Sequence, residues 1–214
     1  MLLSSGEVLD ELDLKKFNTS EEGYKRLIPA LTVCRKARLV ECSLTTKSCE
    51  KLSSALQSTH SSLKELDLSN NDLQDLGVEL LSAGLKRSHC KLEILRLSGC
   101  MVTFKGCSSL ASALKSNPSN LRELDLSYNH PEESGVKLLS DLLEDPHCAL
   151  KKLQVDHGGK IRIKPGPRKY AVHLTLDPNT AHRRLSLSES NRKDQYQKRL
   201  LLSRKCHASM VCRL

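Results

Sequence analysis

Aromatic residues are nearly missing from this 214-residue chain, which has two phenylalanines, four tyrosines and no tryptophan. Large rings supply much of the buried area in most cores, so this core must be built from aliphatic side chains. Long apolar runs are missing as well, and no segment is expected to span a bilayer. The start, Met1-Leu2-Leu3-Ser4-Ser5-Gly6, lacks the basic stretch and apolar run of a secretory signal, so a cytoplasmic location is expected. The nine cysteines include no C-x-x-C pair, the commonest metal and redox spacing. There is no G-x-x-x-x-G-K-[ST] loop, G-x-S-x-G elbow or H-E-x-x-H motif, which leaves nucleotide binding and the familiar hydrolase constellations without support. No cofactor, metal or catalytic residue is expected, and the chain reads as a binding protein rather than an enzyme.

What the chain has is leucine at fixed spacing. The frame Leu63-x-x-Leu66-x-Leu68-x-x-Asn71 returns as Leu92-x-x-Leu95-x-Leu97-x-x-Cys100 and Leu121-x-x-Leu124-x-Leu126-x-x-Asn129, each copy 29 residues after the last. Upstream, Cys34, Ala37, Leu39, Cys42 and Leu44 form a copy in register, and Leu9, Leu12, Leu14 and Phe17 form a shortened one at an offset of 25. Downstream, Leu150, Leu153 and Val155 begin a further copy in which Gly158 takes the Asn/Cys position. An L-x-x-L-x-L-x-x-N/C core at this period is the signature of a leucine-rich repeat. The array is expected over residues 6–157.

One unit can be built from elementary rules. Alternation in Leu66-x-Leu68 puts the leucines on one face of a short strand and Glu65, Asp67 and Ser69 on the other. The spacing predicts strands near 64–68, 93–97 and 122–126. The Asn or Cys that follows turns the chain and can satisfy backbone groups opened by the bend. Leu52, Leu81, Leu110 and Leu139, with Leu56, Leu85, Leu114 and Leu143, then mark one buried face of a helix in each unit. Gly77, Gly106 and Gly135 recur near the helix starts, where a missing side chain permits a close approach. The fold class is therefore α/β: a leucine-rich repeat solenoid, or horseshoe, with parallel strands on its concave face and helices on its convex face.

Repeat-locked cysteines such as Cys42 and Cys100, or Cys49 and Cys107, read as core and turn residues. His89-Cys90 and His147-Cys148 recur at the period and read as inter-repeat turns rather than zinc ligands. Net charge is divided unevenly. Residues from 157 onward carry 14 Lys and Arg against 3 Asp and Glu, or +11, while residues 1–156 carry 20 against 22, or −2. The basic end could attract a polyanion, yet it lacks a recognisable nucleic-acid fold, so neither nucleic acid nor membrane is expected as a partner. The expected partner is a protein, met on the strand face through Glu65, Asp67, Ile94, Arg96, Glu123, Asp125, Lys152 and Gln154. Acidic and basic rows alternate there, which favours a partner of mixed charge.

Leu63-Lys-Glu-Leu-Asp-Leu-Ser-Asn-Asn-Asp-Leu73 and Asp145-Pro-His-Cys148 resemble the ribonuclease-inhibitor-type repeats of NOD-like receptors, particularly the large fish group related to the NLRP and NLRC branches. Tyr170-Ala-Val-His-Leu-Thr-Leu-Asp-Pro-Asn-Thr-Ala-His182 and Leu185-Ser-Leu-Ser-Glu189 resemble the PRY segment that opens a PRY/SPRY domain. The resemblance implies a protein-interaction module of a cytosolic innate-immune receptor without its nucleotide-binding NACHT module. It also implies a linker at 158–169, a partial PRY segment at 170–193 and a disordered tail at 194–214, because too few residues follow for a complete sandwich and the tryptophan of its Trp-Glu-Val-Glu motif is absent. Three other readings stay open: a ribonuclease-inhibitor-like enzyme-binding protein, a truncated product without activity, and nucleic-acid binding through the basic end.

Overall fold

The computed structural model describes residues 8–17, 19–156, 175–176, 185–188, 193–196 and 212–213. The chain divides into two compact units, Met1–Lys169 and Tyr170–Leu214.

In the first unit strands and helices alternate: β1 (Leu9–Asp13), α1 (Glu21–Leu27), β2 (Cys34–Arg38), α2 (Thr46–Leu56), β3 (Glu65–Asp67), α3 (Gln74–Leu85), β4 (Ile94–Arg96), α4 (Phe104–Ser116), β5 (Glu123–Asp125), α5 (Glu132–Glu144) and β6 (Lys152–Gln154). The strands form one parallel six-stranded sheet in sequence order. Its register reproduces the offsets in the leucine frame, with Leu9 opposite Cys34, Leu66 opposite Leu95 and Leu95 opposite Leu124. The predicted strands near 64–68, 93–97 and 122–126 are therefore present, each followed by a helix.

The core is a stack of aliphatic layers. Leu66, Leu95 and Leu124, like Leu68, Leu97 and Leu126, are buried across neighbouring strands, and Leu52, Leu81, Leu110 and Leu139 close the layers from the helices. Each helix packs on the next. A Cβ placed on Gly106 would lie 2.5 Å from Val102 Cγ1 and 3.0 Å from Asp75 Oδ1, so α4 reaches α3 only because that side chain is missing.

Two positions in the leucine frame depart from expectation. Phe17 does not occupy an Asn/Cys turn position: it is 49% exposed. The first repeat is four residues shorter, and its chain leaves β1 through a 3-10 turn, Leu14–Phe17, that buries Leu14 instead. Leu143 is 39% exposed, although its register mates Leu56, Leu85 and Leu114 are buried. Those three are covered by the next helix, and among the described residues no helix follows α5.

In the second unit β7 (Thr175–Leu176) pairs antiparallel with β10 (Cys212–Arg213), and β8 (Leu185–Ser188) pairs antiparallel with β9 (Lys193–Tyr196). The boundary expected at 193/194 falls inside β9. Gly158, the 158–169 linker and most positions of 170–193 and 194–214 lie outside the described residues.

Candidate protein-binding face

Two hydrogen-bonding devices tie neighbouring repeats together and so set the geometry of the sheet. The first is the asparagine turn. Asn71 Nδ2 donates to the carbonyls of Leu68, Ser69 and, in the preceding repeat, Leu39, while its Oδ1 accepts from Leu44 N at 2.9 Å. Asn129 repeats this, donating to Leu97, Leu126 and Ser127 and accepting from Cys100 N and Val102 N. The second device joins the repeats that asparagine does not. Glu21 in α1 accepts from Thr45 N, Thr45 Oγ1 and Ser48 Oγ at the start of α2. Asp75 in α3 accepts from Thr103 N, Thr103 Oγ1 and Gly106 N at the start of α4. Each acid therefore satisfies orphan donors at a neighbouring helix start, where negative charge is also favoured. Burial opposes the charged form of Glu21, but the hydrogen bonds from Thr45 and Ser48 outweigh it and hold the carboxyl below its usual range.

The sheet face turned away from the helices carries two rows that run across the strands. Glu11, Lys36, Glu65, Ile94, Glu123 and Lys152 stand opposite one another in register, as do Asp13, Arg38, Asp67, Arg96, Asp125 and Gln154. All eight residues anticipated from the sequence lie in these rows. Charge sign alternates from strand to strand, and the opposite charges pair across it. Arg38 meets Glu11 at 3.5 Å, Lys36 meets Glu65 at 3.7 Å, Arg96 also binds Glu65, and Lys152 binds Glu123. Burial works against the Arg96 charge, and Glu65, with Asp67 and Glu123 nearby, more than restores it. One row earlier Lys64 bridges to Glu93 at 2.8 Å and holds that carboxyl below its usual range. Glu11, Lys36, Arg38, Glu65, Asp67 and Arg96 line an open depression of about 270 Å³.

The acidic members of the second row have another task. Asp13, Asp67 and Asp125 accept from the backbone N–H two residues on, at Lys15, Ser69 and Ser127. Asp67 is only 8% exposed, so it is a strand-end cap rather than the outward contact expected of it. Ile94 is the single apolar member of either row, half-buried between Glu65 and Glu123. Tyr128, 44% exposed, was not singled out in the sequence, because it lies beyond the alternating strand positions on the turn.

That turn requires left-handed backbone in the second to fifth repeats, at Glu41, Asn70, Gly99 and Tyr128. A second left-handed residue differs between repeat types: Ser43 and Met101 directly follow the Cys turns, whereas Gln74 and Glu132 come three residues after the Asn turns. Cys34, Cys42, Cys49, Cys90, Cys100 and Cys107 are core. Burial pushes the thiols of Cys49, Cys100 and Cys107 up to about 12 and those of Cys34 and Cys42 up to about 11. Among the described residues no group of His, Cys, Asp or Glu could hold a metal ion, and no helix is long and apolar enough to cross a membrane.

Known proteins resemble this chain. Residues 59–82 and 117–140 match the leucine-rich repeat family, and residues 174–204 match the SPRY-associated domain. The chain carries both. The second match also extends the PRY resemblance past residue 193. The chain is 43% identical over 162 residues to human NACHT, LRR and PYD domains-containing protein 12, and 38% identical over 155 residues to mouse NACHT, LRR and PYD domains-containing protein 14. Those alignments cover 74% and 71% of this chain and 15% of each relative. Mouse ribonuclease inhibitor is 39% identical over 146 residues, covering 68% of this chain and 32% of the inhibitor. The chain thus spans a minor part of each of these relatives. Among solved structures, leiomodin-1 actin-binding site 2 superposes with a TM-score of 0.52 at 17% identity, covering 67% of this chain and 82% of that one, a likeness of fold alone.

Proposed function

We propose that this chain is a protein-interaction module of a cytosolic innate-immune NOD-like receptor, acting by binding rather than catalysis. Its partner, a ligand or regulator, docks on the concave sheet face. The observation that carries this reading is the charge ladder in register across the six strands. Lys36, Glu65, Arg96, Glu123 and Lys152 are held in place by one another, so a partner meets a preorganised surface and loses little side-chain entropy on ordering it. Ile94 supplies the apolar anchor, and the neighbouring Arg96 is of a residue type enriched among energetically dominant contacts. A polyanion is disfavoured because every second position is acidic.

The test is proximity labelling in cells with the full chain, the Ile94→Asp variant and, as a helix-face control, Lys51→Glu. Proteins labelled by the wild type and the control but lost with Ile94→Asp support the reading. Identical labelling by all three sinks it. The similarity to ribonuclease inhibitor supports a second reading, an enzyme-binding role on the same face. It predicts inhibition of a ribonuclease that Ile94→Asp relieves, and no inhibition at stoichiometric excess excludes it.

A further inference from the structure

We propose that β2 is the anion-receiving strand of the concave face: Lys36 and Arg38 take one carboxylate side chain, an Asp or Glu of the protein partner, into the depression that they line. This contact rests on the reading that a protein docks on this face, and it assigns one group of that partner by its chemistry.

Charge is sorted by strand, and β2 is the extreme case. It carries Arg35, Lys36 and Arg38 and no acid, while β1 beside it carries three acids and no base. Further along the sheet Lys64, Arg96 and Lys152 each donate a hydrogen bond to the acid they pair with. The cations of β2 do not. Arg35 stands 3.8 Å from Asp10, Lys36 3.7 Å from Glu65 and Arg38 3.5 Å from Glu11, all beyond the roughly 2.7–2.9 Å of a charge-assisted hydrogen bond. These pairs hold the side chains in position without engaging their N–H groups.

Strand register explains the difference. Glu65 stands between Lys36 on one side and Ile94, beside Arg96, on the other, and Arg96 holds it by a hydrogen bond. Lys36 is left with attraction at a distance. The Glu11 side chain is 48% exposed, so solvent weakens its hold on Arg38. The acids on the depression's inner strand are already engaged: Glu65 accepts from Arg96, and the nearly buried Asp67 accepts from Ser69 N. Unengaged donors beside engaged acceptors select an anion over a cation.

The kind of anion follows from the same residues. A carboxylate offers two oxygens to the planar fork of Arg38 and displaces only Glu11 from it. A phosphate dianion or a polyanion would face Glu11, Glu65 and Asp67 in the same depression, and like charge disfavours it. Ile94 lies in the row of Lys36 two strands on, roughly 10 Å away at ordinary strand spacing. One segment of the partner can therefore set an apolar group on Ile94 and its acid on Lys36 and Arg38.

The test selects random peptides displayed on phage against the full chain in reducing buffer, then measures the best binder by fluorescence anisotropy. The enriched peptides should carry Asp or Glu together with an apolar residue. Arg38→Gln should weaken the best binder at least about tenfold. Replacing the peptide's acid by its amide should weaken it equally, and the two changes together should cost little more than either alone, as for two groups that contact each other. Lys51→Glu on α2 should change nothing. Binders that lack an acid, or that ignore both Arg38→Gln and Lys36→Gln, overturn the carboxylate contact; if Ile94→Asp still abolishes their binding, docking on the concave face stands without it. Binders indifferent to Ile94→Asp as well, or no binder at all, overturn both. A phosphoserine that binds more than about tenfold more tightly than the acid it replaces overturns the carboxylate contact in favour of a phosphorylated partner.

Discussion

Asn71 and Asn129 each satisfy backbone groups in two repeats, whereas Cys42 and Cys100, at the same position of the alternate repeats, do far less. Cys42 donates to Val40 O at 3.6 Å, and Cys100 donates to Leu68 O and Ser98 O. A thiol is a weak donor and a weaker acceptor, so it cannot replace the Asn oxygen that takes Leu44 N or Val102 N. A cysteine repeat is therefore held by the asparagine of the repeat that follows it. The stability of the array is distributed unevenly between its two kinds of turn.

Asn71→Ala breaks this arrangement most severely. It strands buried donors and acceptors in two turns at once and should cost roughly 3–5 kcal/mol. Cys100→Ala should cost about 1–2 kcal/mol, mostly lost packing. Asn71→Cys should recover only part of the loss, because the acceptor for Leu44 N is still gone. Urea denaturation of the variants checks the ranking. Equal costs for Asn71→Ala and Cys100→Ala would mean that the turns are equivalent.

The interior and the end of the array offer a second comparison. Leu95 is buried between two neighbouring strands, and Leu95→Ala should cost about 2–5 kcal/mol. Among the described residues Leu153 has a neighbouring strand on one side only, and Leu153→Ala should cost about 1 kcal/mol, in proportion to the smaller area that it buries. A Leu153→Ala variant as damaged as Leu95→Ala would imply that Leu153 is covered on both sides.

The frame was readable because leucine burial is periodic: the 25- and 29-residue offsets predict the strand register directly, and they assign Asn71, Cys100 and Asn129 to turns. The side chains that couple repeats were harder to see. Glu21 and Asp75 look like ordinary acids in first helical turns, and their targets, Thr45 and Thr103, lie a repeat away. Asp67 reads as outward from strand alternation, yet its carboxylate bends back to Ser69 N, a local bond that period-two reasoning does not contain. Phe17 fits the frame by spacing but fails it because the chain leaves β1 in a 3-10 turn, Leu14–Phe17, rather than in an Asn/Cys turn. The candidate face was legible as rows of alternating charge; the pairing that consumes those charges depends on strand-to-strand register, which a single unit does not specify.

The acid links should matter less than the asparagines. Glu21→Gln should cost about 1 kcal/mol near neutral pH, as for loss of a helix cap. The folded carboxyl lies below its ordinary value of 4.5. Its contribution is therefore fully present above that value and is lost as pH falls through the lower folded value. Wild type and Glu21→Gln should converge in melting temperature on acidification. A gap that persists in strong acid would show that the glutamate acts through packing rather than charge.

The smallest effect concerns thiol chemistry and separates local from global opening. Alkylation needs thiolate and access, and in the folded chain burial removes both from Cys42, Cys100 and Cys107. Iodoacetamide should modify half-buried Cys148 before any of these three, which react only when the structure opens. Asn71 ties down Leu39 and Leu44 on either side of Cys42, whereas Cys107 lies in α4, beyond the Asp75 link. Asn71→Ala should therefore accelerate Cys42 modification more than Cys107 modification, because opening of a repeat array propagates from the weakened interface. Mass mapping of the alkylated chain over time reads the two rates. If both rise by the same factor, opening is all-or-none, and asparagine turns stabilise the array as a whole rather than repeat by repeat.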